Sequence, residues 1–484
     1  MTTGFDWTDH TVREALGIRS GTSPRNLQFT GVSTDTRTVE EGDLFVALHG
    51  ERFDGHEFVT EAAAQGAQAA VVSRYVDTND PIEFYLVADT LDGLADLARY
   101  RRRALSGQVI GITGSSGKTT VKELVTAALS SSFEVHSTHG NLNNRVGLPL
   151  SMLRAPPSTE FLVLEMGTSE PGEIGILTAI AEPDHTVVTT VSEAHLTGLG
   201  SLEGVLTEKL DLIRGMRLGG SIVVGDEPAL LPSAAREIRP DICVTGLSDR
   251  ADPEFRGISL SQDPDGGYRF LLGDREVKAG IPGLHGVRNL LLALACARLL
   301  GADEGTAIEQ ASAVKPGRLR GEVRPIGGLT MILDCYNANP QSVTAALEVL
   351  ADLPGASRRI AVLGSMLELG ERSRALHRTI LAKARSLPLD LVVVLGEFAS
   401  AATEFADQRR SGVSSDLELI TASTLDDGYR ALRSRLEGTE TVLLKGSRGV
   451  ALETLIDRFE EDFGRGPAER ETLKKAGAGP GLGA

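Results

Sequence analysis

Residues 109–129 read as a buried strand, VIGIT, a tight turn, GSSG, and a helix, KTTVKELVTAAL. A strand of mostly β-branched residues needs cover on both faces, and a helix leaving straight from its end belongs to a parallel α/β sheet. The turn has the composition of a phosphate-binding loop, in the strand–loop–helix setting such a loop requires. Gly114, Ser115, Ser116 and Gly117 let backbone N–H groups wrap phosphate oxygens. The helix N-terminus, with Thr119 and Thr120 in its first turn, adds partial positive charge. Lys118 suits the β- and γ-phosphates, and the Thr119 hydroxyl suits Mg²⁺. The spacing is not that of the general P-loop, whose first glycine would fall at Ile112; here Gly114 stands three residues before Gly117. Taken alone, the segment also fits an ordinary Gly/Ser turn.

The rest of the chain alternates in the same way, which predicts an α/β fold. A length of 484 residues exceeds one core and implies three domains of roughly 100–200 residues. Residues 1–105 mix short strands (GDLFVAL, AAVVS) with helices (EFVTEAAAQGA, LDGLADLARYRRRAL), a small mixed α/β domain. Residues 106–317 carry the loop and the apolar strands FLVLEM, TVVTTV and SIVVG, a central parallel-sheet, P-loop ATPase-like domain. Residues 318–472 repeat strand–loop–helix from TMILDCYNANPQSVTAALEVL to TVLLKGSRGVALETLI, a Rossmann-like doubly wound domain. The Gly/Ala-rich end, 473–484, is expected to be a disordered tail.

Composition excludes several classes. A net charge of -17 argues against nucleic acid and anionic membranes. The one short basic run, Arg99 with Arg101–Arg103, reads as a solvated helix end, with contact to an anionic ligand as the alternative. Cys243, Cys296 and Cys335 have no metal-ligand spacing and leave one unpaired, as expected of a reducing compartment. No signal peptide is visible, and the longest apolar stretch, Leu290–Leu300, is about half a membrane span. A cytoplasmic protein without a membrane span is expected.

The shortened loop G-x-x-G-S-S-G-K-T-T resembles the nucleotide loop of the Mur ligases, which share it with folylpolyglutamate synthases, and the resemblance extends over nearly the whole chain. It gives roles to residues that local sequence leaves bland. HGNLNNRVGLPL is, read alone, an Asn-rich turn; the likeness makes Asn141, Asn143 and Asn144 candidates for phosphate or peptide contact. Glu165, ending LVLEMGTSEPGEI's strand, matches the family's magnesium glutamate. In SEAHLTGLGSLEGVLTEKL, His195 matches a ligand of a second Mg²⁺ and Lys209 a lysine that is carbamylated, with a surface lysine as the alternative. PGLHGVRNLLLAL resembles G-x-H-N-x-x-N, with Asn289 at the adenine; Gly283 and His285 also match, while Leu284 and Gly286 depart from it. In the linker KPGRLRGE, Arg318, or else Arg320, would reach the ATP phosphates. LDCYNANPQS has the form found in the branch that adds D-alanyl-D-alanine. There Asp334 would hold the ribose, with Tyr336 and Asn337 lining the cleft. Lys445, Ser447 and Arg448, in LLKGSRGVALE, suit carboxylate or phosphate. Ser33, Thr34, Asp35 and Arg37 resemble the part of the N-terminal domain that binds the uridine diphosphate end of the precursor; a capped turn is the plainer reading.

The resemblance implies an ATP- and Mg²⁺-dependent, ADP-forming ligase, expected to be a monomer, with UDP-N-acetylmuramoyl-tripeptide and D-alanyl-D-alanine as substrates. The tripeptide carboxylate would be phosphorylated by ATP and the acyl phosphate attacked by the dipeptide amine. A sister Mur ligase or a folylpolyglutamate synthase-like amide ligase is the rival; a nucleotide-dependent switch is a more distant one.

Overall fold

Runs of valine, isoleucine, leucine and alanine with no polar face define the strands, because both faces of a parallel sheet are covered. The computed structural model of the chain describes residues 7–19, 26–50, 53–79, 81–263, 266–408 and 417–464. The expected tail at 473–484 lies outside them. Two compact units result, one of residues up to 191 with 206–256 and 289–311, the other of 192–205, 257–288 and the chain from 312.

In the first unit an antiparallel pair, β1 (Trp7–Thr8) and β2 (Gln28–Phe29), precedes a parallel sheet of β3 (Val32–Ser33), β4 (Leu44–Val46), β5 (Ala69–Val72) and β6 (Glu83–Leu86). A second parallel sheet follows: β7 (Gln108–Thr113), β8 (Val135–Ser137), β9 (Phe161–Glu165), β10 (His185–Val188), β11 (Ile222–Gly225) and β12 (Cys243–Thr245), ordered β12-β11-β10-β7-β9-β8. The chain leaves β7 for one side of the sheet and later returns to the other, so the crevice for a ligand lies beyond the end of β7.

One apolar core runs through both sheets' helices, from Trp7 to Leu212. The helix Thr90–Ala104, capped by Asp89, joins them. Its basic end is not solvated as the sequence suggested. Arg101 and Arg102 are each 2% exposed. The Arg101 guanidinium donates to the Ala155 carbonyl at 2.6 Å. Arg102 donates to the carbonyls of Ala181 at 2.9 Å and Glu182 at 3.1 Å, and to Asp184 at 2.7 Å. The Ala181 and Glu182 carbonyls close the helix Glu173–Ala181, where the backbone lacks intrahelical donors, and Ala155 follows directly on the C-cap of the helix Gly147–Leu153. Only Arg103 keeps an exposed side chain, at 68%.

The second unit contains an antiparallel meander absent from the sequence reading: β13 (Gly257–Gln262), β14 (Tyr268–Leu272) and β15 (Arg275–Ala279). Its main sheet holds β16 (Glu322–Ile326), β17 (Leu329–Asp334), β18 (Arg359–Leu363), β19 (Leu391–Leu395), β20 (Glu418–Ala422) and β21 (Thr441–Lys445), ordered β16-β17-β21-β18-β19-β20. All pairs are parallel except the edge strand β16, where Pro325 is tolerated because one side needs no N–H. After β21 the chain turns through short 3₁₀ segments before the helix Leu455–Phe463, rather than entering a helix at once. No helix among the described residues is long and apolar enough to cross a membrane.

Candidate active site

The turn after β7 is held open by its glycines. Gly114 has φ 149°, and a Cβ there would lie 2.0 Å from Thr189 Oγ1. Gly117 has φ 82°, and a Cβ there would meet Asn289 Oδ1 at 2.6 Å. Only glycine accepts both the backbone and the close approach. The strand end next door braces the loop: Ser115 N donates to Thr190 O at 2.8 Å, and Thr189 Oγ1 to Ser116 O at 2.5 Å. Thr189 was not foreseen; its position at the end of TVVTTV was the available signal. Lys118, first residue of the helix Lys118–Ser130, donates to Gly114 O at 2.7 Å. Thr120 sits half-buried in that helix's first turn. The loop thus combines a nest of backbone, a helix N-terminus and an ammonium group, an arrangement suited to polyphosphate.

Beneath it Glu165 ends β9, 2% exposed. One carboxylate oxygen accepts from Thr119 Oγ1 and the other from Asn143 Nδ2, each at 2.7 Å. The hydroxyl and the carboxylate expected to share Mg²⁺ therefore already touch, and oxygen donors are what that ion prefers. Of the three asparagines, Asn143 alone joins this group. Asn144 Oδ1 accepts from Val146 N and Gly147 N, capping the next helix, and Asn141 is exposed.

Lys209 lies 1% exposed in the helix Leu202–Gly215, and its Nζ has no hydrogen-bond partner among the described residues. The surface-lysine reading is excluded by that burial. Desolvation and the Lys118 cation push its pKa well below the ordinary value, against the opposing pull of Glu208 and Glu173. Glu208, which the sequence reading passed over, is also buried; it accepts from Gly172 N and Ile174 N, each at 2.7 Å, and so fixes the loop that continues from Glu165.

The second unit gathers another group at the carboxyl ends of β17 and β21, whose register sets Asp334 beside Lys445. Lys445 Nζ lies 2.8 Å from Asp334 Oδ2 and donates to Asn337 O, also at 2.8 Å. Asn337 itself is exposed, its Oδ1 accepting from Ala338 N. Ser447 Oγ accepts from Leu367 N at 2.9 Å. Arg448 is exposed and pairs with Glu453 at 3.1 Å. Arg320 stacks on Tyr336, its guanidinium carbon 3.8 Å from the ring centroid, whereas Arg318 is exposed. Burial lowers the pKa of His285, which lies in the field of Asp334 and Lys445. His195 hydrogen-bonds to Glu368 through Nδ1. Among the described residues no three His, Cys, Asp or Glu side chains form a metal-ligand group.

The N-terminal candidates form a local turn. Asp35 caps a short 3₁₀ segment and pairs with the exposed Arg37 at 2.5 Å; that partner draws its pKa down, against burial. Ser33 Oγ donates to Asp35 O, and Thr34 is half-buried beside it.

A glycine-shaped phosphate loop over a buried carboxylate, on a parallel sheet, is the architecture of a nucleotide-phosphate-binding class of protein. Comparison with known proteins narrows the class. Three family models match in order: the Mur ligase family catalytic domain at residues 28–101, the Mur ligase middle domain at 112–297, and the Mur ligase glutamate ligase domain at 318–448. The UDP-N-acetylmuramoyl-tripeptide–D-alanyl-D-alanine ligase of Bacillus subtilis is 35% identical over 438 residues, covering 88% of this chain and 92% of that one. A crystal structure of MurF from Acinetobacter baumannii superposes with a TM-score of 0.84 at 29% identity, covering 94% and 99%. MurF from Thermotoga maritima, in complex with ADP, gives 0.77 at 32% identity, covering 90% and 97%. The chain belongs to the Mur ligase family.

Proposed function

We propose that this chain uses ATP to join D-alanyl-D-alanine to UDP-N-acetylmuramoyl-tripeptide, a cytoplasmic step of peptidoglycan synthesis. The observation that carries this reading is its 35% identity, across 88% of its own length and 92% of the relative's, to the Bacillus subtilis ligase of that name.

The chemical difficulty is charge, since a carboxylate anion must approach the γ-phosphoryl group of ATP. The loop Gly114–Thr120 would hold the phosphates, with Lys118 moving from the Gly114 carbonyl to their oxygens. Asn289, packed on Gly117, would contact the adenine, and Asp334 the ribose. Glu165 and Thr119 would hold one Mg²⁺, and the imidazole of His195 would ligate a second; bound there, the ions would neutralise phosphate charge. The tripeptide carboxylate oxygen then bonds to the γ-phosphorus as the bond to ADP breaks. Next the dipeptide amine bonds to the carbonyl carbon, phosphate leaves and the amine loses its proton. Tyr336, Asn337, Lys445, Ser447 and Arg448 are the substrate contacts proposed for the second unit, and Ser33, Thr34, Asp35 and Arg37 for the nucleotide end. Asn141, Asn143 and Asn144 are proposed at the phosphate or the peptide, and Arg318 or Arg320 at the phosphates.

Lys209 is proposed to be carbamylated. Burial works against the ammonium form of Lys209, and it is the free amine that adds CO₂: the N–C bond forms, a proton leaves, and the product is an anion able to face a metal. Labelled bicarbonate should give a carbamate signal by ¹³C NMR that Lys209→Ala lacks.

The deciding assay is phosphate release from ATP with the tripeptide nucleotide, with and without D-alanyl-D-alanine. Release that needs both, with the pentapeptide product seen by mass, is expected. Release with a single amino acid instead, or with folate and glutamate, would assign the chain to a sister activity.

A further inference from the structure

Neutral imidazole ligates a metal through one nitrogen only, and its proton must then sit on the other. His195 Nδ1 bonds to Glu368 Oε2, and an ionised carboxylate only accepts. That bond puts the proton on Nδ1 and leaves Nε2 unprotonated in the neutral ring; Nε2 bonds to nothing among the described residues.

The pairing is built into the backbone. His195 has φ 54° and Glu368 φ 63°, a left-handed region that non-glycine residues occupy rarely and hold only when their surroundings impose it. Thr197 N donates to Glu368 O at 3.1 Å. Arg372, four residues on, pairs with Glu193, two residues before the histidine. Segment 193–197 and loop 368–372 therefore grip each other at three points. Glu368 is more than half exposed, with 56% of its side chain accessible, so burial does not explain why it sits there. A carboxylate on the far nitrogen of a ligating histidine is, by contrast, the usual device for setting tautomer and ring orientation.

We propose that Glu368 is a positioning residue, which holds His195 in its Nδ1–H form so that Nε2 faces a divalent cation. The assignment rests on the reading of His195 as a ligand. On this view the loop after β18 completes a metal site that it does not itself ligate.

The test is Mn²⁺ binding to the full chain with a non-hydrolysable ATP analogue, followed by the loss of the free-ion EPR signal. Two Mn²⁺ are expected for the unaltered protein and one for His195→Ala. Glu368→Ala should weaken the His195-dependent site about tenfold or more and leave the other unchanged. Glu368→Gln, whose amide oxygen still accepts from Nδ1–H, should weaken it less. Long-range ¹H–¹⁵N spectra of histidine-labelled protein should show His195 as the Nδ1–H tautomer, and a shift from it in Glu368→Ala, with unchanged melting temperature. Unaltered or tighter Mn²⁺ binding in Glu368→Ala, or an unaltered tautomer, would overturn the proposal while leaving His195 as a ligand. If His195→Ala still binds both ions, the reading of His195 itself fails.

Discussion

Single residues in this chain carry costs that only a function explains. A buried amine with no partner is destabilising, because burial favours its neutral form while the unfolded chain holds the proton. Lys209 is such a group. Its folded pKa is depressed, so the penalty is present below the unfolded value of about 10.4 and fades as pH rises towards it. In CO₂-depleted buffer at pH 7, Lys209→Met should raise the melting temperature by a few degrees, and the gain should shrink by pH 10. Turnover should fall by at least about a hundredfold. A variant that melts lower at pH 7 would mean that the amine is stabilised by something beyond its present surroundings. Asp54 shows the opposite sign. Burial would raise its pKa, but the His56 N–H, the Arg74 guanidinium and the His56 ring outweigh it and hold the value well below the usual carboxylate range. Its stabilisation is therefore present above about pH 4 and lost as pH falls further. Asp54→Asn should lower the urea midpoint at pH 7, with the gap to the unaltered protein narrowing by pH 3. A gap that stays constant would assign the effect to geometry rather than charge.

At the scale of elements, what the sequence revealed was what local pattern encodes. Strands such as Val109–Thr113 and Leu391–Leu395 announce themselves as apolar runs, and the loop as glycines between a strand and a helix. What stayed hidden depends on partners distant in sequence. Arg101–Arg103 has the same local pattern whether it meets water or the carbonyl ends of other helices. Asn144 reads like its neighbours, yet it caps a helix while Asn143 reaches Glu165. The His195–Glu368 bond spans 173 residues, and the β13–β15 meander carries charged, exposed positions without a clear period. Burial separates Arg102 from Arg103 in its effect on stability. Arg102→Met removes donors to two helix-end carbonyls and Asp184 and should cost about 2–3 kcal/mol of stability. Arg103→Ala, at an exposed side chain, should stay within about 0.5 kcal/mol. Chemical denaturation of both variants would test this, and equal effects would mean that the buried contacts are not what joins helix Thr90–Ala104 to its neighbours.

The whole molecule offers a built-in reporter of its two units. The chain has one tryptophan, Trp7, and it lies in the core that runs to Leu212, 6.0 Å from the ring of Tyr100. The core of the second unit, from Leu319 to Phe463, has tyrosines and phenylalanines but no tryptophan. Trp7 emission therefore follows the first unit, whereas far-UV circular dichroism follows both. Two cores of this size should not melt as one, so the two signals should give different midpoints. The phosphate loop is in the first unit, and a ligand stabilises the state that binds it. A non-hydrolysable ATP analogue at about 100 times its dissociation constant should add roughly 2.7 kcal/mol to the transition seen by Trp7. Gly114→Ala should abolish that gain, since its Cβ would lie 2.0 Å from Thr189 Oγ1, while leaving in place the part of the dichroism change that Trp7 does not report. Coincident midpoints with and without nucleotide would instead mean that the two units unfold as one cooperative body, and that a change at the phosphate loop is felt throughout the chain.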